Sequence, residues 1–248
     1  EKPVYLWIND DAVEIRDARH LWGKETRTTS DMLREQLSAQ TSVMAIGPAG
    51  ENLVRYACPL NDDYHVAGRC GAGAVMGSKR LKAIAVRGTG FPTAAHPQEF
   101  QRAVKDARQH LMTADKAWWN PAGEQIGEPG RRGGALDMEN AQKYFTKKGA
   151  ICYACPMNCY NMMGEVQEGK YAGLKESNVN RTMVVGIFGR SLGIDNFPAI
   201  WKCKEQCQQL GMDYAVVGPV LAFAMKLFQQ GIITKADTDG LELTSGNE

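Results

Sequence analysis

Phe91-Pro92-Thr93-Ala94-Ala95-His96-Pro97 divides this chain in two. Two prolines among small residues can hold neither a helix interior nor a central strand, so the stretch reads as a linker. Upstream of it the sequence is β-rich. Val4-Tyr5-Leu6-Trp7-Ile8 and Val13-Glu14-Ile15-Arg16 flank the turn-forming Asn9-Asp10-Asp11, which predicts a hairpin. Thr29-Ser30-Asp31 ahead of Met32-Leu33-Arg34-Glu35-Gln36-Leu37 predicts a capped amphipathic helix. Val43-Met44-Ala45-Ile46-Gly47 and Lys82-Ala83-Ile84-Ala85-Val86-Arg87-Gly88 read as buried strands.

Downstream of the linker the pattern turns helical. A helix is predicted from Pro97 to Met112, and the glycine- and proline-rich residues 120–134 read as a long loop. Another helix is predicted from Pro198 to Gly211, with Phe197, Ile200, Trp201, the Lys204 stem, Cys207 and Leu210 on one stripe. A third repeats the proline-start, glycine-stop design from Pro219 to Gly231, with Leu221, Ala224, Met225 and Phe228 inward. The fold class is therefore α+β, with a β-rich domain over residues 1–92 and a mostly α-helical domain over 93–248.

The 248 residues are 44% hydrophobic and 23% charged, the balance of a globular protein. A net charge of +1 provides no electrostatic footprint for nucleic acid or for an anionic membrane surface. No apolar run approaches the ~20 residues of a membrane span. The opening Glu1-Lys2-Pro3-Val4-Tyr5 shows no signal-peptide pattern. It enters a strand almost at once without a start Met, as expected of a piece cut from a longer chain. The 7 cysteines are odd in number and clustered, unlike a secreted disulfide framework, so a reduced, cytoplasmic protein is expected.

Cys152-Tyr153-Ala154-Cys155-Pro156-Met157-Asn158-Cys159 is the most specific signal. Its C-x2-C-x3-C spacing lets one tight loop offer three soft thiolates to a [4Fe–4S] cluster. Zinc is the alternative, although such sites pair two C-x2-C units or add histidines, and the histidines (His20, His65, His96, His110) all lie elsewhere. A redox C-x2-C would leave Cys159 idle. Cys203 and Cys207 share a face at helical spacing, but such cysteines, like Cys58, more often serve as small core hydrophobes.

Gly68-Arg69-Cys70-Gly71-Ala72-Gly73-Ala74-Val75-Met76-Gly77-Ser78-Lys79 lacks the context of a dinucleotide or Walker loop. It offers bare backbone, one Arg and several amides, which suits a flat, phosphate-bearing cofactor approached closely by main chain. A glycine-dense turn packed on the sheet fits those residues equally well.

Four stretches together resemble the aldehyde:ferredoxin oxidoreductase family of tungsten-pterin enzymes. They are Ala45-Ile46-Gly47-Pro48-Ala49-Gly50-Glu51-Asn52-Leu53, the glycine segment running into Leu81-Lys82-Ala83-Ile84-Ala85-Val86, the cysteine loop, and Leu210-Gly211-Met212-Asp213 with Ala222-Phe223-Ala224-Met225. The resemblance implies the rear of a β-rich pterin-base domain followed by a helical domain. By it, Arg69, Cys70, Gly71, Gly73, Gln208, Met212 and Asp213 contact a tungsten (or molybdenum) bis-pterin, and Cys152, Cys155 and Cys159 hold the cluster. The family's fourth cysteine would fall beyond Glu248. In the family's D-x-x-G-L-D motif, Gln208 replaces the first acid while Asp213 keeps the second. Arg181 and Met183 stand where pocket acids are expected, which leaves Glu176 as the nearest carboxylate and the candidate catalytic residue.

The activity so implied is aldehyde oxidation to a carboxylate. Electrons would pass to ferredoxin or an iron–sulfur subunit, and the protein would be an oligomer. A low-potential reductase of the same family, such as a benzoyl-CoA reductase catalytic subunit, is the alternative. A zinc-stabilised, non-redox binding module is a second.

Overall fold

The computed structural model describes residues 2–62, 65–113, 144–148, 161–174, 177–179 and 181–248. Strands β1 (Val4–Asn9) and β2 (Ala12–Asp17) form the predicted hairpin, with Asn9 opposite Ala12. Asp10 sits in its turn at φ 49, and its carboxylate accepts from the Thr89 amide (2.7 Å) and hydroxyl (2.9 Å). These bonds hold its pKa below the ordinary aspartate value. Helix α1 (Thr26–Gln36), strand β3 (Ser42–Ala45), the short helix α2 (Pro48–Glu51) and strands β4 (Leu60–Asn61) and β5 (His65–Val66) follow. Helix α3 (Ala72–Ser78) then leads into strand β6 (Leu81–Arg87).

The sheet order is β2-β1-β6-β3-β4-β5, with β1 and β6 parallel and the other pairs antiparallel. Alternation along β1 buries Tyr5 and Trp7, while Leu6 and Ile8 on the other face are half-buried. Under α1, Tyr5 and Trp7 pack with Leu33, Val43, Ala45, Ala83 and Ala85 into one core. The helix starts earlier than the Thr29-Ser30-Asp31 cap predicts. Thr29 and Ser30 are buried inside it, and the Thr29 hydroxyl donates to the Glu25 carbonyl (2.8 Å), so these residues serve the packed interior.

Residues 88–96 carry no helix or strand, and helix α4 (Pro97–Thr113) follows them as expected. Its apolar residues Phe100, Val104 and Leu111 are exposed. Residues 120–134 lie outside the described residues.

The second half is not wholly helical. Strands β7 (Phe145–Lys148), β8 (Asn161–Met163) and β9 (Ser177–Val179) form an antiparallel sheet. At three or four residues each, they are too short to show an alternating pattern. Helix α5 (Arg181–Val184) runs into a π-helical turn, Val185–Arg190. Helix α6 (Phe197–Leu210) starts with a proline and stops at Gly211, whose φ of 75 lets its amide turn back to the Cys207 and Gln208 carbonyls. Ile200, Trp201, Lys204 and Cys207 are buried as predicted, whereas Leu210, at the helix end, is exposed.

Helix α7 (Tyr214–Gln229) begins five residues before Pro219, which lies inside it. The true start signal is Asp213, whose carboxylate accepts from the Ala215 amide. This helix turns Val217, Ala222 and Met225 toward the second core, around Trp201, Phe188 and Tyr214, so Leu221 is exposed rather than inward. Among the described residues no helix is long and apolar enough to cross a membrane.

Candidate functional site

The glycine segment and the Gln208–Asp213 turn, far apart in sequence, meet across a third stretch, Tyr56-Ala57-Cys58. Gly73 donates to the Ala57 carbonyl (3.0 Å), and a Cβ on Gly73 would lie 2.7 Å from the Cys58 nitrogen. On the opposite side Met212 bridges to Ala57, Cys58 donates to the Gly211 carbonyl (2.9 Å), and Asp213 donates to the Tyr56 carbonyl (3.2 Å). Residues 56–58 thus pair through a β-bridge on one side and accept from the Gly73 amide on the other, joining the base part to the helical part through main chain. No sequence signal marks them, because their role is carried by backbone groups.

Gly68 completes the junction: a Cβ there would lie 2.8 Å from Asp213 Oδ2. The other carboxylate oxygen, Oδ1, already accepts from Ala215 (2.9 Å). Arg69 and Gly71 both take positive φ (72 and 69), folding the chain sharply where the Arg69 and Cys70 side chains are exposed. Gly71 and Gly73 are buried, with the Arg55 carbonyl packed where a Gly71 side chain would begin. Behind this rim Gln208 is buried, and its carbonyl accepts from the Thr26 hydroxyl (2.8 Å). Met212 is half-buried against the helical core.

Two thiols lie in the wall. Burial, then the charges of Asp213 and Cys207, push the Cys58 thiol up to about 12. Burial, then Cys203 and Asp213, do the same to Cys207. Cys203 is half-buried, and burial raises it too. Among the described residues no group of three or more potential metal ligands gathers. Cys58 and Cys207 are buried and Cys203 packs against the second core, the surroundings of small core hydrophobes.

Cys152, Cys155, Cys159 and Glu176 lie outside the described residues. Lys148 and Asn161, which flank the cysteine stretch, are register partners of β7 and β8. Met163, close beyond it, is buried in the core that holds Trp201. Met183 is 41% exposed and receives the Tyr214 hydroxyl at its sulfur (3.3 Å).

The sequence matches the aldehyde ferredoxin oxidoreductase N-terminal domain over residues 1–88 and domains 2 and 3 of the same enzymes over 114–248. The chain belongs to the aldehyde ferredoxin oxidoreductase family. It is 37% identical to the tungsten-containing aldehyde ferredoxin oxidoreductase of Thermococcus kodakarensis, over 94% of this chain and 41% of that protein. Against the aliphatic sulfonate oxidoreductase WOR-like subunit of Pyrococcus furiosus, identity is 31% over 100% of this chain and 44% of that one. Among solved structures, the benzoyl-coenzyme A reductase active-site complex BamBC with 1,5-dienoyl-CoA superposes with a TM-score of 0.75 at 27% identity. That match covers 97% of this chain and 40% of the other. This family member therefore spans about two fifths of the length of the relatives it matches.

The glycine segment and the Gln208–Asp213 turn also suit a flat organic cofactor with an anionic arm. Gly68, Gly71 and Gly73 let the segment close against Asp213 and the main chain of residues 55–58 where any side chain would intrude, and Arg69 supplies an exposed guanidinium at the open rim.

Proposed function

We propose that this chain is part of a tungsten- or molybdenum-pterin oxidoreductase with a [4Fe–4S] cluster, which oxidises an aldehyde to a carboxylate and delivers the electrons to ferredoxin or an iron–sulfur partner subunit. The observation that carries the proposal is the convergence of Gly68–Gly73 and Gln208–Asp213 across residues 56–58. The tungsten enzymes among its relatives support the same reading.

Arg69 would hold the anionic arm, and the main chain at Gly71 and Gly73, held close against residues 55–58, would contact the ring system, with Cys70 at the rim. Asp213 Oδ2, Met212 and the Gln208 amide would contact the pterin from the helical side. Gln208 can both donate and accept there but brings no charge. Cys152, Cys155 and Cys159 would bind three irons of the cluster, with the fourth ligand supplied from beyond Glu248. The metal, when bound, supplies the two-electron chemistry by which aldehyde and water yield a carboxylate, protons and two electrons. The protein must accept those protons, and Glu176 is the proposed group.

Metal analysis of the anaerobically purified full-length protein tests this reading. About four irons with one tungsten or molybdenum per chain is expected, together with aldehyde-dependent reduction of a viologen dye. Zinc without iron or either heavy metal would overturn it in favour of a structural cysteine loop.

Met183 favours a second reading. A thioether paired with the Tyr214 hydroxyl stands where the family resemblance puts an acid, so this part of the wall offers a thioether in place of a carboxylate. A low-potential reductase of the benzoyl-CoA reductase kind fits such a wall, and the fold match to BamBC points the same way. Metal-replete protein that oxidises no aldehyde in a broad panel, yet interconverts an aromatic acyl-CoA thioester and its dienoyl product, would select this reading.

A further inference from the structure

A deeply buried ion pair lies close behind the site. Lys82 on β6 is 0% exposed and Glu51, the last residue of α2, is 6% exposed; their Nζ and Oε1 atoms are 2.5 Å apart. Lys82 also donates to the Lys24 carbonyl (2.7 Å), and the Gly23 amide donates to both Glu51 oxygens (3.0 and 2.8 Å). The pair thus ties the last residue of the four-residue helix α2 to strand β6 and to the Gly23–Lys24 turn. Burial lowers the Lys82 pKa despite the carboxylate beside it, so the arrangement carries a desolvation cost.

What α2 touches gives the pair a role. At its start, Gly47 packs against the Leu210 and Gln209 carbonyls, so tightly that a Cβ would collide with them. In its middle, a Cβ on Gly50 would lie 2.9 Å from the Gly73 carbonyl, and the Gly50 carbonyl occupies the space a Gly77 side chain would need. One short helix therefore borders both halves of the cofactor cradle, Gly71–Gly73 on one flank and Leu210–Asp213 on the other. Four residues make less than two helical turns and cannot hold a position on their own hydrogen bonds.

We propose that Glu51 and Lys82 are positioning residues for the cofactor: the buried pair pins α2, and α2 sets the gap between the glycine flank and the Asp213 flank. This inference rests on the pterin reading of the site. It predicts that apolar residues of similar volume can restore stability without restoring the gap, since they pack but do not aim.

The test uses full-length protein carrying the double replacement Glu51→Leu/Lys82→Met, and separately Glu51→Asp, which keeps the charge on a shorter arm. The expected result is a double variant that unfolds near the wild-type temperature. Its pterin, measured by fluorescence after oxidative release, and its tungsten or molybdenum per chain should fall roughly tenfold. Any metal retained should show shifted EPR g-values. Glu51→Asp should lose less cofactor but shift the same g-values, and it decides the matter if the double variant does not fold. Wild-type cofactor content and unchanged EPR in a folded variant would make the pair merely structural and overturn the proposal. A wild-type protein without pterin would instead sink the functional reading on which the proposal rests.

Discussion

Among the described residues the base part and the helical part meet at a main-chain contact and at a side-chain contact, and the two are built from different materials. At Gly47, residues 56–58 and residues 210–213, main chain lies against main chain. Around Thr26, Arg27, Lys204 and Glu205, the contact is made by long or polar side chains. Backbone cannot swing aside, so the first junction fixes geometry, and the candidate cofactor site is there. Side chains can re-aim and titrate, so the second should yield gradually to mutation and to pH.

The largest effect should come from putting a methyl group into the first junction. Gly47 has ordinary φ and ψ (−96 and −171), so Gly47→Ala adds no backbone strain, and its cost is the collision with the Leu210 and Gln209 carbonyls. A loss of about 3 kcal/mol or more in urea unfolding is expected, with parallel loss of pterin from the full-length protein. A midpoint and cofactor content equal to wild type would show that the two parts do not touch there in solution.

How much of this contrast can be read in the sequence follows from which atoms carry it. Pattern and punctuation are side-chain signals, and where they govern, reading succeeds: the hairpin about Asp10, the strands at 42–45 and 81–87, and the Gly211 stop of α6 are all legible. Competing uses of the same residue type defeat it. Thr29 and Ser30 look like caps but are core residues of α1, and Pro219 looks like a helix start but sits within α7, whose signal is Asp213. The pairing of the glycine segment with the Asp213 turn is suggested only by family resemblance. Its physical agent, residues 56–58, acts through amides and carbonyls that every residue possesses. The same holds for β7 to β9, whose pairing is a matter of register rather than composition.

The side-chain junction should reveal itself next, through pH. Burial, opposed by Glu205 and assisted by Arg27, lowers the Lys204 pKa to about 8 from an ordinary 10.5. Between these values the unfolded chain binds the proton that the folded chain has released, so stability attributable to Lys204 rises as pH rises through that window. The rise is at most roughly 3 kcal/mol. Cys58 and Cys207, held protonated by burial, act in the opposite sense in any variant, so the quantity to measure is wild type minus Lys204→Met. A difference that stays flat from pH 7 to 11 would mean that Lys204 reaches water and the junction is looser than the structure shows.

A smaller effect is expected from Glu205→Gln. The carboxylate is 4% exposed and takes the Arg27 guanidinium at 3.0 Å, but Arg27 is 31% exposed and can return to solvent. Losing one partner of a wholly buried pair costs ~3–5 kcal/mol, and the half-open cation should reduce this to about 2 kcal/mol. Added salt should narrow the gap between wild type and variant slightly. A loss as large as that of Gly47→Ala would erase the distinction between the two junctions.

The mildest probe joins them. The Thr26 hydroxyl, on the side-chain junction, donates to the carbonyl of Gln208, which belongs to the turn that forms the backbone junction. Thr26→Val preserves shape and removes only that donor, leaving a buried carbonyl short of a bond, at a cost of about 1 kcal/mol. If the junctions are mechanically separate, the Cys58–Gly211 and Asp213–Tyr56 amides should keep their slow hydrogen exchange in this variant, because nothing at Gly47 or residues 56–58 has changed. Exchange at those amides that quickens by more than the global loss of about 1 kcal/mol accounts for would show that α6 transmits the loss from one contact to the other. The cofactor site would then depend on the adjustable junction as well as on the rigid one.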